Sequence, residues 1–203
     1  HLYLHTIDGK LKNQITKGNW PVTSYYGINE KRKTIYFQSA ETSPMDRNVY
    51  SINLNGAGKK RLTSKDGTNR ADFSNSFDYF INYHTTANKP NYVSLHNSSG
   101  SAIRVLKDNE KLTQKLSEYE IGEKTFFSFK TSENVELNAW MIKPPNFSET
   151  KKYPVFLTIY GGPGSQTVTN SWGGSNYFWH QMLAQKGYIV ISVDNRGTGA
   201  RGV

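Results

Sequence analysis

Val49-Tyr50-Ser51-Ile52-Asn53-Leu54-Asn55-Gly56, leading into Arg61-Leu62-Thr63, is the stretch on which the reading of the fold turns. Apolar and polar residues alternate up to an Asn-Gly step, and a second short run follows. That is the pattern of a hairpin with one buried face. The phrase stands earlier as Leu2-Tyr3-Leu4-His5-Thr6-Ile7-Asp8-Gly9 with Gln14-Ile15-Thr16, and later as Tyr92-Val93-Ser94-Leu95-His96-Asn97 with Arg104-Val105-Leu106. Aligned on their tyrosines, the copies lie 47 and then 42 residues apart. Between them sit strands of a second type, Thr34-Ile35-Tyr36-Phe37-Gln38 and Tyr79-Phe80-Ile81-Asn82-Tyr83, offset by 43 residues. A repeat of about 40–50 residues made of short strands predicts β-propeller blades, here about two of them. Roughly three or more are needed for a stable array, so the chain reads as a fragment.

The pattern changes after residue 107. Asp108 is placed to cap a helix from Asn109 to Tyr119, with Leu112, Leu116 and Tyr119 on one face. Thr125–Lys130 and Leu137–Lys143 then read as a hairpin around Ser132-Glu133-Asn134, stopped by Pro144-Pro145. Pro154-Val155-Phe156-Leu157-Thr158-Ile159-Tyr160 is almost continuously apolar, as expected of a strand covered on both faces. A Gly-rich loop, a helix from about Tyr177 to Lys186 closed by Gly187, and a second buried strand, Tyr188–Val193, complete a parallel strand–helix–strand unit. The expected fold class is therefore mixed: propeller blades over residues 1–117, and the beginning of an α/β domain over residues 118–203.

Composition narrows the function. The chain has 203 residues, is 35% hydrophobic and carries a net charge of +9, without a cysteine. Disulfides, thiolate metal sites and a cysteine nucleophile are excluded within it. No apolar run is long enough to span a bilayer, and the first residues do not read as a signal peptide. Seventeen basic and nine acidic residues precede residue 118, so the positive excess belongs to the first part. Its densest cluster, Lys59-Lys60-Arg61, follows the Asn55–Gly58 turn and reads as a solubilising strand edge, not a nucleic-acid contact.

Chemistry concentrates at Tyr160-Gly161-Gly162-Pro163-Gly164-Ser165, at the C-terminal end of a buried strand. Glycines there allow a tight turn and close approach of the backbone to a ligand. In α/β hydrolases the corresponding loop supplies part of the oxyanion hole, and a tyrosine hydroxyl could serve as one donor. The same residues also read as an aromatic strand end with an ordinary turn. No G-x-S-x-G nucleophile motif occurs. Gly197-Thr198-Gly199-Ala200-Arg201-Gly202 satisfies G-x-G-x-x-G, but it follows a complete strand–helix–strand instead of opening one, so a Gly-rich turn is preferred to a dinucleotide site. The five histidines show no metal-ligand spacing; His180 reads as a residue that packs or faces solvent, not as a base, and Asp194 as a turn-stabilising one. Asn97-Ser98-Ser99 and Asn146-Phe147-Ser148 are glycosylation sequons of the kind that arise by chance.

Taken together, the stretches Leu2–Val22, Gln38–Glu41, Asn48–Tyr50, Lys151–Val155, Tyr160–Gln166 and Asp194–Gly199 resemble the prolyl oligopeptidase family of serine peptidases, in its dipeptidyl peptidase IV branch of bacterial form. The resemblance runs over essentially the whole chain. It implies an eight-bladed propeller over an α/β-hydrolase domain and the release of N-terminal X-Pro or X-Ala dipeptides. Tyr160 inherits the oxyanion role and with it contact to substrate. Gly161, Gly162 and Pro163 inherit the positioning of that tyrosine, and Asp194 and Arg196 belong to a supporting loop. Asn195 stands where the family usually has Gly, a change that asparagine's tolerance of positive φ should absorb. The resemblance further implies no metal or other cofactor, peptide substrates with a free N-terminus, no nucleic-acid partner, a homodimer and an exported location. The family's catalytic serine, aspartate and histidine would lie beyond Val203 and its amine-binding glutamates before His1, so the 203 residues alone should be inactive. A non-catalytic homologue acting as a binding protein, and another peptidase of the same clan, are the alternative readings.

Overall fold

A computed structural model of the chain describes residues 1–202. They form two compact units, one built mainly from residues 1–86 and 91–108, the other from 87–90 and 109–199.

The first unit is a succession of antiparallel sheets. β1 (Tyr3–His5) and β2 (Leu11–Gln14) make a hairpin. β3 (Val22–Asn29), β4 (Thr34–Ser39), β5 (Asn48–Asn53) and β6 (Lys60–Arg61) form a four-stranded meander. β7 (Thr68–Phe73), β8 (Tyr79–Thr86), β9 (Lys89–Asn97) and β10 (Ala102–Lys107) form another. Four-stranded meanders of this kind are consistent with propeller blades. The thrice-repeated phrase falls on β1–β2, β5–β6 and β9–β10, and the interleaved strands are β4 and β8.

Period-two alternation explains the packing. On β4, Ile35 and Phe37 point into a cluster with Ile15, Trp20, Tyr50 and Ile52, against which Leu2, Leu4 and Leu54 pack. Tyr36, between them, joins Val49, Leu62, Ala71 and Phe80 on the opposite face, with Phe73 and Phe77 alongside. The β3–β6 sheet is therefore buried on both sides, as a blade inside a stack must be. Lys59 pairs with Glu41 and lies over the Trp20 ring at 4.8 Å, while Arg61 pairs with Asp66 at 2.8 Å. These two cations of the basic cluster thus have partners within the unit.

The second unit opens with α1 (Glu110–Leu116), shorter than expected and with no buried residue. Asn109, not Asp108, occupies its N-cap, in the left-handed region at φ 58° and without a side-chain capping bond. Tyr119 lies beyond the helix and is exposed, so the anticipated apolar stripe does not form a buried face. β11 (Lys124–Lys130) and β12 (Glu136–Ile142) make the hairpin, with Asn134 at φ 60° in its turn. β13 (Val155–Thr158), α2 (Tyr177–Gln185) and β14 (Ile189–Val193) follow. The sheet order is β11-β12-β14-β13, and only β13 and β14 run parallel. Gly187, at φ 87°, closes α2 as expected and donates its N–H to Ala184 O. A further expectation fails: Val155, Leu157 and Ile159 are more than half exposed, so β13 is not covered on both faces. The single long helix of the unit contacts β12 and β14.

Candidate active site: the loop after β13

β13 hydrogen-bonds to β14 as far as Thr158, and Tyr160 leaves the sheet two residues later. Tyr160 is 63% exposed, and its hydroxyl makes no hydrogen bond among the described residues. Gly161 turns the chain at φ 77°, in the left-handed region that favours glycine. Gly162 has a different reason: a Cβ there would stand 2.9 Å from Cε1 of Tyr160. The bare backbone at 162 makes room for the tyrosine ring.

The loop is held from below by Asp194, at the end of β14 and 4% exposed. Its Oδ1 accepts from the Thr167 N–H and the Thr167 hydroxyl, both at 2.8 Å, and Oδ2 accepts from the Val168 N–H at 3.1 Å. Three donors satisfy the carboxylate in place of a cation. Thr167 is further fixed by Ser192, whose hydroxyl lies 2.8 Å from its own, and by Trp140, whose indole N–H donates to Thr167 O at 3.1 Å. Higher in the loop, Asn195 Nδ2 donates to Gly161 O at 3.2 Å, and the Thr198 hydroxyl has two acceptors in reach for its one proton, Asn195 Oδ1 at 3.0 Å and Ser165 O at 3.4 Å.

Tyr160, Gly161, Gly162 and Pro163 thus form one loop with Asp194 buttressing its far end. Arg196 does not join them: it pairs with Glu133 of the β11–β12 turn, and both partners are more than 60% exposed, where ion pairs contribute little. Asn195 is not in the left-handed region, so tolerance of positive φ is not what it provides. Its side-chain N–H donated to Gly161 O is. Thr167, Trp140 and Ser192 escaped the sequence reading because each sits outside any motif; only the polar Ser192 inside the apolar run 188–193 hinted at a buried partner.

Residues 197–202 form turns and bends. His180 packs as expected, 8% exposed and 5.3 Å from the Trp140 ring. Lys124 Nζ lies 4.7 Å from that same ring. Burial pushes the Lys124 ammonium below its usual range, and burial together with the Lys124 charge does the same to His180. Among the described residues no three His, Asp or Glu side chains stand close enough to hold a metal ion, and no helix is long and apolar enough to cross a membrane.

Residues 1–91 match the family described as the dipeptidyl peptidase IV (DPP IV) N-terminal region. The whole chain superposes on a crystal structure of Porphyromonas gingivalis dipeptidyl peptidase 4 with a TM-score of 0.93 and 42% identity, covering 28% of that protein. Over its whole length the chain is similar to part of a dipeptidyl peptidase 4. Dipeptidyl peptidase 4 of Arthroderma otae is 34% identical, and that of Trichophyton rubrum 33% identical, each over 100% of this chain. The chain spans 27% of the length of those two family members.

Proposed function

We propose that the chain is the part of a serine-type dipeptidyl peptidase in which the last propeller blades lead into an α/β-hydrolase domain, and that Tyr160 is an oxyanion-hole donor. The observation that carries this reading is an exposed tyrosine hydroxyl without an internal partner, presented by a braced Gly-rich loop at the C-terminal end of a parallel strand. The sheet order β11-β12-β14-β13, with a helix joining its parallel pair, supports the hydrolase assignment. We place the blades in residues 1–117 and the hydrolase part in 118–203.

A serine elsewhere in the polypeptide attacks the carbonyl carbon of the second substrate residue. The carbonyl oxygen takes up negative charge, and Tyr160 donates its O–H to that oxygen. A donor preorganised where charge develops stabilises the transition state more than the ground state. Collapse of the tetrahedral species expels the rest of the peptide, and water hydrolyses the acyl-enzyme to release an X-Pro or X-Ala dipeptide. This chemistry calls for no cofactor. Substrates are peptides with a free N-terminus, not nucleic acids, and the enzyme is an exported homodimer by likeness to its family. In the full-length enzyme Tyr160→Phe should lower kcat on Gly-Pro-p-nitroanilide by about 10²–10³-fold with little change in KM. Unchanged kcat would remove Tyr160 from the oxyanion hole.

A further inference from the structure

Asp194 is a buried carboxylate whose hydrogen bonds all go to one segment. It makes no ion pair among the described residues, and its acceptors are taken up by the Thr167 N–H, the Thr167 hydroxyl and the Val168 N–H. Val168 itself is completely buried, so these bonds pin the loop to the sheet at a fixed height. The side of the loop that carries Tyr160 is tied to the turn that Asp194 begins, through Asn195 to Gly161 and Thr198 to Ser165. A Gly-rich loop has a large conformational entropy to lose. These contacts remove that freedom at positions 161, 165, 167 and 168, on both sides of Gly162-Pro163-Gly164.

We infer that Asp194 is a positioning residue for the reaction: through Thr167 it sets the loop that aims the Tyr160 hydroxyl, without touching substrate itself. This rests on the oxyanion role proposed for Tyr160. A donor helps only when it sits about 2.7–3.1 Å from the developing oxyanion, so a loop displaced by an ångström forfeits much of its effect. Asparagine at 194 preserves shape but turns one acceptor into a donor, which then faces a donor on Thr167 or Val168. Thr167→Val removes the hydroxyl, and Thr167→Ser restores it.

The test is a double-mutant cycle in the full-length enzyme on Gly-Pro-p-nitroanilide, with Tyr160→Phe, Asp194→Asn and their combination. Asp194→Asn should lower kcat at least tenfold with KM changed less than threefold. In the Tyr160→Phe background the same change should cost less than threefold, because the donor it positions is already gone. Thr167→Val should show a smaller loss of kcat, and Thr167→Ser should recover wild-type turnover. Equal losses from Asp194→Asn in both backgrounds would overturn the positioning role while leaving the Tyr160 assignment intact. A Tyr160→Phe enzyme with wild-type kcat would instead overturn the reading on which the inference rests. Should Asp194→Asn not fold, the Thr167 pair decides: Thr167→Val with wild-type kcat contradicts the inference, and a loss rescued by serine but absent in the Tyr160→Phe background supports it.

Discussion

Phe37 is completely buried, stacked on Trp20 with ring centroids 6.3 Å apart and on Tyr50 at 5.5 Å. Phe37→Ala should therefore destabilise the first unit by about 3–5 kcal/mol, measured by chemical denaturation. A cost below about 1 kcal/mol would mean that the cluster collapses around the gap. Residues of this kind were legible, because Ile35 and Phe37, two positions apart on one strand, must share a face. The buried asparagines were not. Asn48, Asn69 and Asn82 look like strand breakers, yet all three are buried. Asn69 Nδ2 lies within hydrogen-bond distance of Asn48 Oδ1, Arg47 O and Lys65 O, while its Oδ1 accepts from Asn82. A chain of amides linking two sheets depends on partners some twenty residues apart, and no local pattern announces it. At the site, Tyr160 and its glycines were visible as a motif. The need for Gly162 to lack a Cβ was not, since it depends on where the Tyr160 ring lies.

Elements differed in the same way. Strands β4, β5, β8 and β9 fell where alternation placed them. Helix α1 came out shorter, and none of its residues is fully buried. The apolar run Pro154–Tyr160 was read as covered on both faces, but composition alone cannot say which neighbours are present. Helix α2 brings His180 onto Trp140, beside Lys124, and this arrangement carries a pH dependence. His180 is held neutral in the folded unit, below its ordinary value of 6.5. The unfolded chain therefore takes up the proton first on acidification. The His180 contribution is complete above about pH 6.5 and is lost as pH falls from there through the lowered folded value. Wild-type melting temperature should consequently drop more between pH 7 and pH 5 than that of His180→Gln, followed by near-ultraviolet circular dichroism. Parallel profiles would show that His180 is not the group responsible.

At the scale of the molecule, the blades of the first unit and the mixed sheet of the second match a dipeptidyl peptidase 4 along their whole length, while covering about a quarter of it. The repeats and the two glycine-bearing motifs, in that order, made this legible. A nucleophile to go with the role proposed for Tyr160 was not, because none of the 203 residues forms a nucleophile motif. The purified 203-residue chain should therefore give no turnover of Gly-Pro-p-nitroanilide above the uncatalysed rate; saturable hydrolysis would place a nucleophile within it. The most direct measurement is made on the full-length enzyme, with Gly-Pro-p-nitroanilide and its N-acetylated form compared side by side. A dipeptidyl peptidase of the proposed kind releases nitroaniline from the first and not from the second. Equal hydrolysis of both, or of neither by a folded protein, would contradict it.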